Sequence, residues 1–348
     1  MSEGVAPAGA EVGFERAAAV GIHALPLPTP FLVGRVNCYL IEDRPLTLID
    51  TGPNSGKSLD ELERALAQHG RSIEDLELIV VTHQHMDHIG LLDVLARRSG
   101  ADVAALDLLG PYLENFSTHA AADDEFAHQV MRRHGVPDDV ATVLGSVGVA
   151  FRAFGSSGHV TQPLRDGETL TLRDRRLKVF HRPGHSPSDT IFFDDERRIL
   201  LAGDHLLAHI SSNPILSKPL PNAGTGSEAG VEERPRALLG YMESLRATAE
   251  MPIELVLGGH GEPVLDHVSL IEERFRMHDR RARKVLRVLG SKSLTAFEIA
   301  IEMWGNIAVT QAYLTLSEVL GHLDLLLADG RAIEREQEGV IRFSAVPR

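Results

Sequence analysis

Runs of apolar residues that alternate with polar segments predict short strands and helices along most of the chain. Two apolar runs within residues 37–50 flank a charged turn, as in an antiparallel hairpin. Residues 58–69 place leucines on one face at helical spacing and predict an amphipathic helix. A buried strand over residues 76–81 leads through a polar motif into a helix over residues 89–98. Because strands and helices alternate, the pattern predicts an α/β fold with two sheets.

The second half of the chain contains further strands and two regions without them. Strands are predicted over residues 170–172, 177–181, 190–193, 199–202 and 253–257. Residues 108–154 instead predict helices with many small apolar side chains, which form an insertion between the strands. Beyond residue 278 the pattern predicts helices over 294–304 and 312–328 and a hairpin over 332–343. Two helices followed by a two-stranded wing predict a C-terminal winged helix-turn-helix.

Domain boundaries follow from these changes of pattern. Residues 1–20 hold three acidic groups, one arginine and no apolar stretch of a secretory signal, so they predict a flexible N-terminal arm. Residues 21–275 form the main domain and residues 276–348 the winged-helix domain. The apolar stripe on helix 312–328 needs cover, so the tail should pack on the main domain or on a second subunit, as in a homodimer.

Composition narrows the class of protein. The chain has 348 residues, 43% of them hydrophobic, but no apolar run near the roughly 18 residues that span a bilayer, so we expect no membrane segment. The net charge of −14 repels phosphate backbones and disfavours nucleic acid as a partner. The one cysteine, Cys38, cannot form an internal disulfide, which favours a cytoplasmic location. The chain contains 17 histidines, and histidine is a common metal ligand, so metal binding is a candidate function.

The strongest chemical signal lies at the end of the strand over residues 76–81. Three histidines and one aspartate form the motif His83-x-His85-x-Asp87-His88. Residues two apart on a strand project to one side, so His83 and His85 can enter one cleft. Imidazole and carboxylate are the ligands of catalytic zinc, and the motif contains no cysteine. We therefore predict a metal centre at this strand end.

Three more candidate ligands follow other strands. His185 comes after the strand over residues 177–181, Asp204 comes after 199–202, and His260 comes after 253–257. Strand ends that meet at one sheet edge give a rigid site, while the loops between them are free to vary with the substrate. We expect these three side chains to join the 83–88 motif.

In this order the motifs resemble the metallo-β-lactamase superfamily over about residues 21–275. The motifs that carry the resemblance are Asp50-Thr51-Gly52, the 83–88 motif, His185, Gly203-Asp204 and Gly259-His260-Gly261. With its C-terminal winged helix, the chain is similar to the β-lactamase-like protein 2 subgroup. The resemblance implies a four-layer αββα sandwich with a helical insertion and a C-terminal winged-helix domain.

The resemblance also implies two metal sites that share one carboxylate. The first metal would be held by His83, His85 and His185, the second by Asp87, His88 and His260, and both by a bridging Asp204. Asp50 would support the site by a hydrogen bond within the 83–88 loop. Two divalent ions are implied, zinc first, with manganese or iron as alternatives because the same ligands serve all three. Aspartate at the bridging position points to glyoxalase II, lactonases and nucleases.

The implied reaction is hydrolysis by a metal-bridging hydroxide, with Asp87 orienting it and passing its proton to the leaving group. The expected substrate is a small ester, thioester or lactone. The alternative is a single-strand-specific endoribonuclease of the β-lactamase-like protein 2 type. Against it stand the net charge and the presence of a single dense basic cluster, Arg280-Arg281-Arg283-Lys284. A DNA-binding ligand sensor and a di-iron redox protein are further alternatives.

Several residues near these motifs have two interpretations. The apolar side chains that either cap the metals or bury the insertion's own core are Leu108, Leu109, Tyr112, Leu113 and Phe116. Residues 211–214, Ser-Ser-Asn-Pro, are more typical of a capped turn than of a substrate cleft. His181 and His205 flank the candidate ligands and are expected to be packing residues.

Overall fold

Two β-sheets form the centre of the protein, whose computed structural model describes residues 8–212, 214–220 and 234–347. The first sheet consists, in spatial order, of β1 (Ile22–Leu27), β2 (Val36–Ile41), β3 (Thr47–Ile49), β4 (Leu78–Val80), β5 (Asp102–Leu106) and β6 (Gln162–Leu164). The predicted hairpin is the antiparallel pair of β2 and β3, in which Tyr39 lies opposite Ile49. From β3 to β6 neighbouring strands are parallel.

The second sheet has five strands in the order β11, β10, β9, β8, β7. These strands are β7 (Thr169–Thr171), β8 (Arg176–His181), β9 (Thr190–Asp194), β10 (Ile199–Gly203) and β11 (Leu255–Gly258). Neighbours are antiparallel except for β10 and β11, which are parallel. The strands predicted after residue 170 are therefore confirmed, with slightly different ends.

Helices cover the outer face of each sheet and give the order αββα. Apolar side chains from both inner faces meet in a core between the sheets. On the first sheet, α2 (Gly56–Gln68) and α4 (Leu92–Ser99) bury leucines against the outer face. On the second sheet, α8 (Ala237–Ala249) and α9 (His267–Leu289) do the same. The predicted α/β fold and four-layer sandwich are confirmed.

The single helix predicted over residues 89–98 is wrong, because the chain is split there into two helices. The first is α3 (Met86–Ile89), and α4 follows it after a short break. A Cβ atom at Gly90 would lie 2.1 Å from the backbone nitrogen of Asn54 and 2.3 Å from the carbonyl oxygen of Phe154. These neighbours are distant in sequence, so the local pattern could not show how tightly the chain packs between the two helices. As a result, the end of the 83–88 motif lies on a short helix of its own.

Residues 108–154 are helical, as predicted. The helices are α5 (Gly110–Glu114), α6 (Phe116–Arg133) and α7 (Asp138–Phe151). The five apolar side chains between residues 108 and 116 pack in the core shared with α2 and α4. This packing supports burial of the insertion against the first sheet rather than a cap over the metal motif.

The flexible arm predicted over residues 1–20 is wrong for its second half, which forms helix α1 (Ala8–Ala18). Ala17 is buried in the core between the sheets, and Arg16 forms an ion pair with Glu254. β1 and β11 are edge strands of their sheets, and α1 contacts residues at both edges. Its apolar positions are mostly alanines, which give too weak a stripe for the pattern to indicate a packed helix.

The C-terminal part contains the two helices and the hairpin that the sequence predicts. Its elements are β12 (Ser293–Leu294), α10 (Ala296–Trp304), α11 (Ile307–Thr310), α12 (Ala312–Ala328), β13 (Ala332–Gln337) and β14 (Val340–Ala345). The strands form a small sheet in the order β12, β14, β13. The winged-helix assignment and the boundary at residue 275 stay predictions, and α9 runs through that boundary without a break.

The apolar stripe of α12 is covered within the chain. Its fully buried members are Leu316, Val319, Leu320 and Leu323. They share a core with Val130 of α6 and Val285 of α9, so the insertion and α9 supply the cover that the stripe needs. Neither α12 nor any other helix in the described ranges has both the length and the apolar character to cross a membrane.

Removing a buried side chain from this shared core should destabilise the chain. We expect Leu320→Ala to lower the free energy of unfolding by about 2–5 kcal/mol, because a cavity replaces packed methyl groups. Leu314→Ala, on the same helix but 43% exposed, is the control and should cost about 1 kcal/mol or less. Urea unfolding measures both, and equal losses would contradict the observed packing.

His134 gives the same region a dependence on pH. Its ring is buried and stacks on Phe343 with ring centroids 6.0 Å apart. Burial lowers the pKa of His134 to about 3, helped by the positive charges of Arg234 and Arg133. The folded protein therefore keeps this imidazole neutral at pH values where a solvated histidine is protonated.

Stability should fall as the pH drops from about 6.5 towards 3. In that window the unfolded chain binds a proton at His134 that the folded chain cannot bind, so acid favours unfolding. His134→Leu should remove the proton, about one per chain, that is taken up at this position on unfolding. The free energy of unfolding should then depend less steeply on pH. His159→Gln, at a site 76% exposed, is the control. Identical slopes for His134→Leu and the unmodified protein would contradict the argument.

Candidate metal centre

Asp50 lies behind the 83–88 motif and orients it. Its carboxylate accepts hydrogen bonds from the backbone nitrogen and the hydroxyl of Thr82, both at 2.8 Å. The same carboxylate lies 2.7 Å from Nδ1 of His88. Because an ionised carboxylate only accepts, Nδ1 of His88 donates to Asp50 and Nε2 faces the site. Burial lowers the pKa of His88, but Asp204 and Asp50 raise it well above its usual value, so Nε2 carries a proton that a bound cation would replace. These are the supporting contacts expected of Asp50.

Three imidazole nitrogens converge at the end of β4. Nδ1 of His85 lies 3.0 Å from Nε2 of His83 and 2.9 Å from Nε2 of His185. The Thr82 hydroxyl donates to Asp50, so it accepts from Nδ1 of His83 at 3.0 Å and leaves Nε2 as an acceptor. Burial and neighbouring imidazoles lower the pKa of His83 well below its usual value and that of His85 to about 3. These two rings are neutral at pH 7 and offer lone pairs to a cation.

A second group of ligand atoms lies beside the first. Atoms of Asp87, His88 and His260 all lie within 4.8 Å of one another, and Nε2 of His260 is 3.3 Å from Oδ2 of Asp87. Nδ1 of His260 donates to the backbone carbonyl of Arg35 at 2.8 Å, so Nε2 faces the site. Burial opposes a charge on this ring, but the carboxylates of Asp204 and Asp87 raise the pKa of His260 to about 10, so Nε2 carries a proton that a bound cation would replace. Burial would raise the pKa of Asp87, but hydrogen bonding and attraction to His260 and His88 lower it, so the carboxylate is ionised.

Asp204 lies between the two groups. Its Oδ1 is 3.5 Å from Nε2 of His88, and its Oδ2 is 3.5 Å from Nε2 of His185 and 3.4 Å from Nε2 of His260. Burial opposes ionisation of Asp204, but attraction to His260 and His88 holds its pKa well below the usual range. The structure thus brings all seven candidate ligands together, with Asp204 next to members of both groups.

These donor atoms fit divalent cations. Among the described residues, Nε2 of His88, Nε2 of His260 and Oδ1 of Asp204 are buried without a hydrogen-bond partner. A buried polar atom left unpaired costs about 1–3 kcal/mol, which a bound cation would offset. Ligands about 2.0–2.1 Å from a tetrahedral zinc ion lie roughly 3.3 Å apart, and the separations here are 2.9–3.5 Å. Nitrogen and oxygen donors suit zinc, manganese or iron.

The sequence pattern missed the residues that hold the His185 loop. The buried carboxylate of Asp189 accepts from the backbone nitrogen of Ser186 at 2.9 Å and from its hydroxyl at 2.7 Å. The backbone nitrogen of Gln84 donates to the Ser188 hydroxyl at 3.2 Å and joins this loop to the 83–88 motif. The only signal was the polar run after His185, which is typical of ordinary turns.

Glycine is required beside Asp204. A Cβ atom at Gly259 would lie 2.3 Å from Oδ1 of Asp204 and 2.7 Å from Cε1 of His88, so a larger residue would displace two candidate ligands.

His181 and His205 make other contacts, as expected of packing residues. Nε2 of His181 bonds the Pro187 carbonyl at 2.9 Å, and Nε2 of His205 bonds the Thr248 hydroxyl at 2.8 Å.

The turn predicted over residues 211–214 includes Asn213, which lies outside the described residues. Directly after it, the backbone nitrogen of Ile215 donates to the carbonyl oxygen of His185 at 3.4 Å, and that of Leu216 donates to the Ser317 hydroxyl at 3.3 Å. The segment therefore joins a candidate ligand loop to α12.

Comparison with known proteins identifies the family. The model of the Metallo-beta-lactamase superfamily matches residues 32–260. This chain belongs to that superfamily. It is similar to the probable metallo-hydrolase YqjP of Bacillus subtilis, with 33% identity over 94% of this chain and 98% of that protein. The chain is therefore a metal-dependent hydrolase of a fold that binds divalent metal, and the resemblance drawn from the motifs is confirmed.

Other superfamily members extend the comparison. A β-lactamase-like protein 2 homologue of Caenorhabditis elegans is 24% identical over 87% of this chain and 82% of its own length. The human acyl-coenzyme A thioesterase MBLAC2 is 30% identical over 49% of this chain and 58% of its own length. A solved metallo-β-lactamase family protein of Thermus thermophilus superposes with a TM-score of 0.77 at 26% identity, over 94% of this chain and 99% of that one. The predicted fold is thus confirmed.

Metal content should depend on Asp204. We expect the metal-loaded protein to keep two divalent ions per chain after dialysis, and Asp204→Ala to keep at most one, because a carboxylate near both groups is lost. Activity should fall by at least a hundredfold, while circular dichroism stays unchanged. Asp195→Ala, an exposed aspartate at the end of β9, is the control. Two retained ions in Asp204→Ala, measured by plasma mass spectrometry, would rule out a bridging role.

Proposed function

We propose that this protein is a dinuclear metal-dependent hydrolase of small acyl substrates, and that thioesters are the preferred class among esters, thioesters and lactones. One observation carries the proposal. Seven buried or nearly buried side chains direct nitrogen and oxygen atoms at one another, and Asp204 lies within 3.5 Å of nitrogens from both groups. Such an arrangement is costly without positive charge and suits two cations that share a carboxylate.

We assign the seven residues to two metal-binding sets, following the pattern of the family. The side chains proposed for one ion are His83, His85 and His185, those for the other are Asp87, His88 and His260, and Asp204 serves both. Two such ions would supply an activated water and polarise the scissile carbonyl. We propose zinc for both positions, with manganese or iron as the alternatives that metal analysis distinguishes.

Asp87 is the residue proposed to move a proton. Its carboxylate is ionised at neutral pH and lies 3.3 Å from Nε2 of His260. An ionised carboxylate beside the attacking water can orient that water and accept its proton. In thioester hydrolysis the same proton would then pass from Asp87 to the sulfur of the leaving thiolate, which restores the carboxylate. Asp50 acts through His88 and is a positioning residue.

Two considerations favour thioesters over RNA. The human relative that is 30% identical over about half of this chain is named as an acyl-coenzyme A thioesterase. The basic cluster on α9, which an RNA substrate would need, is partly neutralised. Arg281 pairs with Glu318 at 2.6 Å, and Arg283 pairs with Asp279 at 2.5 Å. With a net charge of −14, the chain offers little attraction for a phosphate backbone.

The dependence on salt separates the two substrate classes. We expect hydrolysis of an uncharged thioester such as S-phenyl thioacetate to change less than twofold between 50 and 200 mM salt, because no phosphate contact is broken. A nuclease making 6–10 phosphate contacts would lose roughly a thousandfold or more in affinity over that range. The test measures hydrolysis of a panel of thioesters, esters, lactones, a cephalosporin and single-stranded RNA. Asp204→Ala serves as the inactive control. Salt-sensitive RNA cleavage without any acyl hydrolysis would refute the proposal.

A further inference from the structure

A cavity of about 770 Å³ opens beside the candidate ligand His260. It lies between α1, β1, the loop before β2 and residues 209–210, and His260 and Gly261 form part of its wall. This volume falls in the range of about 300–1,000 Å³ that holds small-molecule ligands. The cavity therefore offers room for a substrate group that extends away from the metal centre.

The walls are suited to an apolar group. Apolar lining comes from Phe14, Ala18, Ala24, Val33 and Ile210, which belong to four separate segments. Burial of hydrocarbon against such side chains is favourable at about 0.8 kcal/mol per methylene. A flexible chain of methylenes is a common substrate group that suits a cavity of this volume and apolar lining.

Three basic side chains in the lining already have partners, and the lining also includes the acidic Glu15. Nε2 of His23 lies 3.0 Å from Glu42, and Nε2 of His209 lies 2.9 Å from Glu262. Arg35 forms an ion pair with Glu61 and donates to the carbonyl of Pro26 at 2.6 Å. A phosphate-bearing carrier such as coenzyme A would have to break these pairs, so the lining suits the acyl side of a thioester rather than its carrier side.

Helix α1 is held firmly as one wall. A Cβ atom at Gly13 would lie 2.7 Å from the Pro263 side chain, which shows how closely the helix packs. Arg16 pairs with Glu254, and Ala17 is buried between the sheets. The neighbouring positions Phe14 and Ala18 then line the cavity. The helix thus contributes two side chains to the cavity that His260 also lines.

We infer that this cavity binds the acyl chain of the substrate, and that Phe14 and Ala18 of α1 set the chain length that the enzyme accepts. The inference rests on the proposed function and adds a straight-chain acyl thioester as the substrate class. The scissile carbonyl lies at the metal centre, and the methylenes extend past His260 towards α1.

Acyl chain length provides the test. In the metal-loaded enzyme, kcat/KM for saturated acyl thioesters should rise with chain length by up to about fourfold for each buried methylene. Ala18→Phe fills the cavity and should lower the ratio of kcat/KM for dodecanoyl over acetyl thioester at least tenfold. Ile210→Trp narrows the opposite wall and should act in the same direction. Ala19→Phe introduces the same side chain one residue further on, outside the lining, and should keep the unmodified ratio.

Calorimetry tests the cavity without catalysis. Dodecanoate should bind the metal-loaded protein at least tenfold more tightly than acetate, and Ala18→Phe should abolish this preference. If the protein hydrolyses thioesters and its ratio of kcat/KM for dodecanoyl over acetyl thioester is the same in Ala18→Phe and Ala19→Phe, the inference is overturned. The proposed function then still stands. Preferential binding of dodecanoate without hydrolysis of any thioester would support the cavity and refute the proposed function. Equal binding of dodecanoate and acetate by the unmodified protein would overturn the inference.

Discussion

Two carboxylates and five imidazoles packed together in a buried space need positive charge between them, as protons or as a cation, and this constraint organises the protein. Nε2 of His83 and Nδ1 of His85 are 3.0 Å apart, and Asp204 lies within 3.5 Å of three further imidazoles. On the far side of the rings, Asp50 accepts from His88 and the Arg35 carbonyl accepts from His260. The surrounding hydrogen bonds therefore fix which nitrogen of each ring faces the candidate metal centre.

The sandwich makes this arrangement possible because it brings strand ends of two sheets to one edge. The 83–88 motif follows β4 of the first sheet, whereas His185, Asp204 and His260 follow β8, β10 and β11 of the second. Packing between the sheets, and of helices on both outer faces, holds these ends in register. The loop that bears His185 has little regular structure of its own and depends on Ser186, Ser188 and Asp189 for its shape.

Features with a strong local signal could be predicted from the sequence, and features that depend on distant contacts could not. The 83–88 motif concentrates four candidate ligands within six residues, and the remaining motifs occur in the order typical of the family. By contrast, the close packing at Gly90, between α3 and α4, involves backbone atoms of Asn54 and Phe154. The docking of α1 depends on two sheet edges and on residues more than 200 positions away. Such contacts leave no periodic pattern in the chain.

The position of α1 also bears on how the protein behaves in a crowded solution. Strands at the edge of a sheet carry unpaired backbone groups, which can recruit a strand from another molecule and begin aggregation. β1 and β11 are such edges, and α1 lies where the two come together. Shortening the chain at its start would therefore expose a place where copies of the protein could join edge to edge.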